Sequence, residues 1–148
     1  MTQPKYLKLV QLSAAYDLLV TSAFAIPGLA AFTLLQLQHM HQTLTLPGIF
    51  PAFLPVHLLF VQLMGSLVVV WSLLRLLRPE ARLGLMDGVA RLLFSLHMAL
   101  TLFSHNGSAL IGAFLLPEIL WGLAQLEGYR RLRMAPDKTA GSLTAEAR

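Results

Sequence analysis

Three ionisable side chains of this sequence stand inside long apolar runs. Asp17 lies in the first run, His97 in the third and Glu118 in the fourth. An ionisable group within a membrane helix costs at least ~2.5–3.5 kcal/mol on insertion scales, so its presence indicates a functional site. At 1.5 Å of rise per residue, each group lies ~13 to ~16 Å from one end of its run, which predicts a similar depth for all three.

Two carboxylates beside an imidazole in a region of low dielectric suit three kinds of chemistry. They can relay protons, act as general acid and base on an apolar substrate, or neutralise an organic cation. Each acid also belongs to a polar or small stripe at helical spacing, and such stripes face the interior of a bundle. The predicted ligand-binding residues are Asp17, Thr21, Gln62, His97, Glu118 and Trp121.

A purely structural role for the same acids is the competing interpretation. Asp17 can pair with Arg91, which stands near one end of the third run. Glu118 can form a hydrogen bond with His97 or with Gln62 and so join two helices. Pro117 favours a functional role for Glu118, because a proline frees a backbone carbonyl within the helix.

Four histidines lie at or near the ends of the apolar runs and form a second candidate site. Imidazole groups bind copper, zinc, nickel or haem iron. Copper is the first metal to expect, since Met40 and Met64 lie close to these histidines in the sequence. The working prediction is that no cofactor is present and that the amphipathic rings lie at the membrane boundary. The candidate metal ligands are His39, His41, His57 and His105.

The composition defines the elements that must position these residues. Of 148 residues, 56% are hydrophobic and only 12% are charged, against roughly a quarter charged in a soluble domain. No charged residue occurs between Asp17 and Arg75, or between Arg91 and Glu118. Four runs are long enough to cross a membrane, which takes about 20 apolar residues. The predicted spans are 9–37, with a bend at Pro27, then 53–77, 85–104 and 109–129.

We therefore predict an all-α integral membrane protein with four transmembrane helices in an up-down bundle. Residues 1–133 form the single transmembrane domain, and residues 134–148 form a flexible cytoplasmic tail. Gly84 and Gly88 form a GxxxG pattern that indicates a helix-packing face. The absence of cysteine excludes disulfides, thiol catalysis and iron–sulfur clusters.

The basic residues predict the orientation. With four spans, all eleven lysines and arginines fall on the side of the two termini and the second connection, and such residues accumulate in the cytoplasm. Both termini are thus expected to be cytoplasmic, in a bacterial inner (plasma) membrane. Arg75 and Arg91 are counted here as topology determinants. The net charge of +4 is thereby explained without a nucleic-acid partner.

Three short stretches resemble the four-helix membrane proteins of the emopamil-binding and sigma-2 receptor type, the EXPERA group. They are Pro51-Ala52-Phe53, Phe60-Val61-Gln62-Leu63 and Ser95-Leu96-His97-Met98. The resemblance implies an intramembrane pocket with acids for a sterol-like or cationic amphiphile. This chain departs from that pattern in its second span, where Gln62 stands in place of an acid. DoxX-like bacterial proteins are similar in size and topology.

Three functions are compatible with these features. The first is a membrane protein that binds a small lipophilic or amphiphilic ligand, or serves as a subunit or homo-oligomer in a membrane complex. The second is an intramembrane acid/base enzyme that acts on a lipid or isoprenoid through Asp17, His97 and Glu118. The third is a redox component that binds copper or haem through the four histidines.

Overall fold

A computed structural model describes residues 1–134 of the chain, and these residues are mainly helical, with non-helical connections such as 44–54. The helices are α1 (Gln3–Thr21), a short 3₁₀ helix (Ser22–Ala25), α2 (Leu29–Thr43), α3 (Pro55–Leu77), α4 (Ala81–Ser104) and α5 (Leu110–Met134). The all-α prediction is confirmed for this part of the chain. The predicted tail begins at the last residue of α5, and its remaining residues, 135–148, lie outside the described residues.

Three to four membrane crossings are supported by the lengths and composition of these helices. α3, α4 and α5 are each long and apolar enough to span a membrane. The predicted first span, 9–37, is not one continuous helix, because Gln3–Ala25 and Leu29–Thr43 meet at 103°. Pro27 cannot donate a backbone hydrogen bond, and Gly28 adopts φ +80°, a conformation that suits glycine. The sequence predicted a bend at Pro27 but not so sharp a turn.

The distribution of polar and apolar side chains differs from that of a soluble protein. Large apolar side chains are exposed along α3, including Leu63, Leu67 and Val70. The interior instead holds many polar or charged groups. Within the helices these buried residues are Ser13, Asp17, Ser72, Arg75, Asp87, Arg91, Ser95 and Gln125. An apolar exterior is what a lipid environment requires, so the distribution supports a membrane protein.

Glycines bring the helices of the bundle close together. A side chain at Gly84 would collide with Tyr6 and Val10 of α1, whereas one at Gly88 would press on Leu126 of α5. The GxxxG pattern is therefore confirmed as a packing face, with one glycine against each neighbouring helix. At Gly65 of α3, an added Cβ would lie 2.6 Å from the backbone of Phe24 in the 3₁₀ helix.

The connections α2–α3 and α4–α5 are joined to each other at one end of the bundle. The Ile49 amide donates to the Asn106 carbonyl at 2.8 Å, and the Ala109 amide donates to the Pro47 carbonyl at 2.9 Å. The side chains of His41 and Ser108 also form a hydrogen bond, at 2.8 Å. These contacts hold the α2–α3 connection against the start of α5.

Candidate functional site

Five charged side chains from four helices meet inside the bundle. We call them the buried charge cluster; its members are Asp17 of α1, Arg75 of α3, Asp87 and Arg91 of α4, and Glu118 of α5. The Arg75 side chain is fully buried, and the Glu118 side chain is the most accessible at 17%. The cluster thus connects α1, α3, α4 and α5 in the middle of the fold.

Asp17 joins both arginines. Its Oδ2 atom accepts hydrogen bonds from Arg75 Nη2 at 2.5 Å and from Arg91 Nη2 at 2.6 Å. Arg91 Nη2 also donates to Oδ1 at 2.7 Å. Because a guanidinium group keeps its proton in proteins, these are permanent charge-assisted contacts.

Asp87 closes the other side of the cluster. Its Oδ2 atom accepts from Arg75 Nη1 at 2.5 Å and from Arg91 Nε at 2.9 Å. The indole Nε1 of Trp71 donates to Oδ1 at 2.8 Å. Asp17, Asp87 and the two arginines therefore form a ring with two positive and two negative charges.

Ser13 lies at the centre of this ring. Its hydroxyl oxygen is 3.2 Å from Arg75 Nη1, 3.0 Å from Arg91 Nη2 and 2.8 Å from Gln125 Nε2. It also donates to the Asp87 carboxylate at 3.3 Å. A small hydroxyl side chain suits this position, because three buried donors converge on one oxygen atom.

Glu118 lies outside the balanced ring. Its Oε1 atom accepts from Arg91 Nη1 at 2.9 Å, whereas its Oε2 atom is buried without a hydrogen-bond partner among the described residues. With all carboxylates ionised, three negative charges face two positive ones. In that state the cluster has a surplus of one negative charge, and Glu118 is the carboxylate outside the balanced ring.

A cavity of about 400 Å³ adjoins Glu118 and the rest of the cluster. Asp17, Asp87, Arg91 and Glu118 form its polar end. Its other walls are mainly apolar and come from α1, α3, α4 and α5; they include Val20, Met64, Val68, Phe94, Met98 and Phe114.

The cavity opens sideways, towards the surroundings of the bundle. Met64 and Leu67 of α3 border it and are also exposed on the outer surface, as is Phe94 of α4. These exposed residues place the outer edge of the cavity along α3 and α4, at the level of the helices rather than in a loop.

Three of the six predicted ligand-binding residues line this cavity: Asp17, Thr21 and Glu118. The Thr21 hydroxyl donates to the Asp17 carbonyl at 2.6 Å. Gln62 is half-buried elsewhere on α3. Trp121 packs against Tyr16, with ring centroids 6.0 Å apart, and it is Tyr16 that borders the cavity.

His97 is exposed and does not join the acids, contrary to the prediction. The reason is the rotation of α4. Asp87, Arg91 and Ser95 face the interior at intervals of four residues. At about 100° per residue, the His97 side chain points about 160° away from that of Ser95 and about 120° away from that of Arg91, which places it on the outer face of the helix.

The structural pairing hypothesis is partly confirmed. Asp17 pairs with Arg91 as expected. The proposed bonds from Glu118 to His97 or Gln62 are wrong, because Arg91 is the partner of Glu118.

Two members of the cluster, Arg75 and Asp87, are missing from the residues that the sequence analysis proposed for the site. Arg75 and Arg91 were both expected at the membrane surface as topology determinants, but both are buried. Asp87 lies within the GxxxG stretch, between Gly84 and Gly88, and the sequence analysis assigned it no role. Its spacing of four residues from Arg91 was the available signal, since such pairs share a helix face.

Three of the four histidines engage in local side-chain contacts. His57 Nδ1 accepts from the Leu54 amide at 3.2 Å and so caps the start of α3. His41 bonds to Ser108, and His39 Nδ1 lies 3.5 Å from the Thr43 hydroxyl. His105 follows the end of α4. Within residues 1–134, no three histidine, aspartate or glutamate side chains form a group that could hold a metal ion.

Comparison with protein-family models, with curated proteins and with solved structures finds no match for this chain. The chemistry of the site must therefore be derived from its own residues.

Proposed function

We propose that this protein is a four-span membrane protein that binds one small lipophilic or amphiphilic molecule in the cavity beside the buried charge cluster. The observation that carries this proposal is the Oε2 atom of Glu118, which is buried without a partner where the cavity meets the cluster. A buried acceptor without a partner costs about 1–3 kcal/mol, and more when charged. A polar group of a ligand would remove that cost.

The balanced ring argues that Glu118 is not needed to hold the helices together. Asp17 and Asp87 already neutralise Arg75 and Arg91 and satisfy most of their donors. A third carboxylate adds one contact to Arg91 and leaves a negative charge uncompensated. Such a residue is costly for structure and useful for binding.

The dimensions and lining of the cavity also support a ligand site. Its volume of about 400 Å³ falls within the range of roughly 300–1,000 Å³ typical of small-molecule sites. Those sites are mainly apolar with a few convergent polar groups, and this cavity has the same arrangement. Its lateral opening favours a ligand that partitions into the bilayer.

The enzymatic alternative loses support because its proposed base is misplaced. Acid/base work by Asp17, His97 and Glu118 requires the imidazole to reach the carboxylates. His97 is exposed on the outer face of α4. Among the described residues, no other imidazole lies beside Asp17 and Glu118 to act as a neutral base. We therefore propose binding without a reaction.

We further propose four crossings with both termini cytoplasmic in a bacterial inner (plasma) membrane. The 23 residues Gln3–Ala25 measure ~34 Å at 1.5 Å per residue, enough to cross a core of about 30 Å. α2 would then lie along the opposite membrane surface. With Arg75 and Arg91 buried, the other nine basic residues still fall on the side of the termini.

The absence of cysteine allows a direct test of this orientation. Thr43→Cys should react with an impermeant maleimide added to intact cells. Glu80→Cys should react only after the membrane is permeabilised. The reverse pattern would overturn the orientation.

Native mass spectrometry of the protein, gently extracted in nanodiscs, tests the ligand. We expect a bound molecule of defined mass that disappears in Glu118→Gln. Glu127→Gln is the matched control on the same helix, because Glu127 is more exposed and, within residues 1–134, its carboxylate pairs with Arg130 and Arg131. A clean apo mass in all three proteins would refute the ligand and favour a subunit of a larger complex.

A further inference from the structure

The surplus charge of the cluster restricts what the cavity can hold. Arg75 and Arg91 keep their positive charges, because guanidinium groups do not lose protons in proteins. Three ionised carboxylates would leave one net negative charge in a region of low dielectric, where an unpaired charge is costly. The site must therefore acquire one further positive charge, either a proton or a cation.

Glu118 is the residue at which that positive charge is best placed. Asp17 and Asp87 each accept hydrogen bonds from both arginines, so a proton on either would displace a charged donor. Glu118 has one engaged oxygen and one free oxygen. The free oxygen can hold a proton without breaking any contact of the cluster.

Charged and titratable groups surround Glu118 from the helices packed against α5. α1 contributes Tyr16 and Asp17, and α4 contributes Asp87 and Arg91. Arg75 of α3 pairs with Asp17, and no contact between Arg75 and Glu118 is found among the described residues. The negative groups of this set favour a positive partner for Glu118. Arg91 is already shared with Asp17 and Asp87.

We propose that the cavity takes an amphiphile with a protonated amine head, and that the ammonium group replaces a proton on Glu118. This inference rests on the proposed function and specifies the ligand class of the same site. On binding, the O–H bond of Glu118 breaks and its proton passes to water. The ammonium N–H groups then donate to the freed carboxylate, no covalent bond forms, and the charge of the site stays constant.

An adjoining hollow provides room for the apolar part of such a ligand. This second cavity, of about 430 Å³, shares Thr21, Met64 and Val68 with the first. It continues past Phe24 to Phe60, and its lining is almost entirely apolar. Along α3 the distance from Trp71 to Phe60 is ~16 Å at 1.5 Å per residue.

The continuous apolar path favours an amine with one alkyl chain over an inorganic cation. A bare or hydrated metal cation would satisfy Glu118 but would leave the apolar walls without contacts. A neutral head would leave the proton on Glu118. An anionic head would face the surplus negative charge.

Three probes with one alkyl chain and different heads test the proposal: dodecylamine, dodecanol and dodecanoate. Binding to the full chain in nanodiscs is measured by tryptophan fluorescence at about pH 6, 7 and 8. An aliphatic amine, with a pKa of about 10.4, stays protonated throughout this range. Empty nanodiscs correct for partition of the probes into lipid. Glu118→Gln and the control Glu127→Gln are measured in parallel.

We expect dodecylamine to bind at least tenfold more tightly than the other two probes. Its affinity should rise by about tenfold per pH unit, because one proton is released for each amine bound. In Glu118→Gln, the preference for the amine and its pH dependence should both disappear, whereas Glu127→Gln should behave as the wild type does.

The other outcomes separate the ligand class from the proposed function. Binding of dodecylamine without pH dependence would overturn the exchange with a proton. Equal or tighter binding of dodecanol or dodecanoate would overturn the amine head and leave the ligand cavity standing. No saturable binding of any probe would count against the amine and against the proposed function together.

Discussion

Removing a charge from the balanced ring should damage the fold far more than removing the charge of Glu118. Asp17→Asn keeps the size of the side chain but deletes the carboxylate that both Arg75 and Arg91 contact within 2.7 Å. The new amide group also presents N–H donors to guanidinium donors. Breaking a buried ion pair in this way costs about 3–5 kcal/mol.

Glu118→Gln should be nearly neutral for stability. The amide oxygen can still accept from Arg91 Nη1, the one donor that Glu118 engages. The amide is also neutral, as the protonated Glu118 of the empty site is. We expect a change in the free energy of unfolding below about 1 kcal/mol, comparable with one ordinary hydrogen bond.

The measurement is thermal unfolding of both variants and the wild type in the same nanodiscs. At about 2–4 °C per kcal/mol for a chain of this size, Asp17→Asn should lower the Tm by about 6–20 °C. Glu118→Gln should shift it by no more than a few degrees. Equal losses for the two variants would refute the division of the cluster into a structural ring and a surplus carboxylate.

The double variant provides an independent check. When Asp17 is neutral, an ionised Glu118 can take over part of the compensation of Arg91, because both acids contact the same guanidinium group. Replacing both acids leaves two arginines against Asp87 alone. The combined loss should exceed the sum of the single losses by an amount in the range of roughly 0.5–3 kcal/mol observed for coupled residues.

Three further predictions follow from single contacts. Ser13→Ala should destabilise the protein by about 1–3 kcal/mol in the same assay, because buried donors lose their shared acceptor; an unchanged Tm would contradict the central role of this hydroxyl. Gly65→Ala should cost about 1–3 kcal/mol through collision with the neighbouring backbone, whereas Gly112→Ala, with no atom closer than 3.9 Å to the new Cβ, should be tolerated. In a Trp121→Phe variant, dodecylamine should change the emission of Trp71, which borders the cavity; in Trp71→Phe the remaining signal should not respond.

The architecture could be predicted from the sequence largely through its charge gaps. Long uncharged runs leave few alternatives to membrane helices, and Pro27 predicted a bend in the first run. The angle at that break could not be predicted. A proline and a glycine remove the local constraints on the chain, but the new direction depends on packing between α2, the 3₁₀ helix and α3.

The site was harder to predict because it depends on the rotation of each helix. On α1, a stripe of polar residues one turn apart located Asp17 and Thr21 correctly. On α4, the depth of His97 suggested an interior position, although its angular position does not. Asp87 and Arg91 share a face that His97, six residues beyond Arg91, does not share. An ion pair four residues apart was a better guide to the interior than depth was.

The two buried arginines show why the role of each carboxylate in this cluster can be inferred only from the balance of positive and negative charges. An arginine near the end of a membrane helix can serve equally well as a topology determinant or as a buried ion-pair partner, and sequence alone does not separate the two roles. Once Arg75 and Arg91 are known to be buried, each requires a carboxylate, because neither can become neutral by losing its proton. Asp17 and Asp87 meet that requirement. Glu118 is then the one carboxylate of the cluster that the arginines do not explain, and its free oxygen lies where the cavity begins.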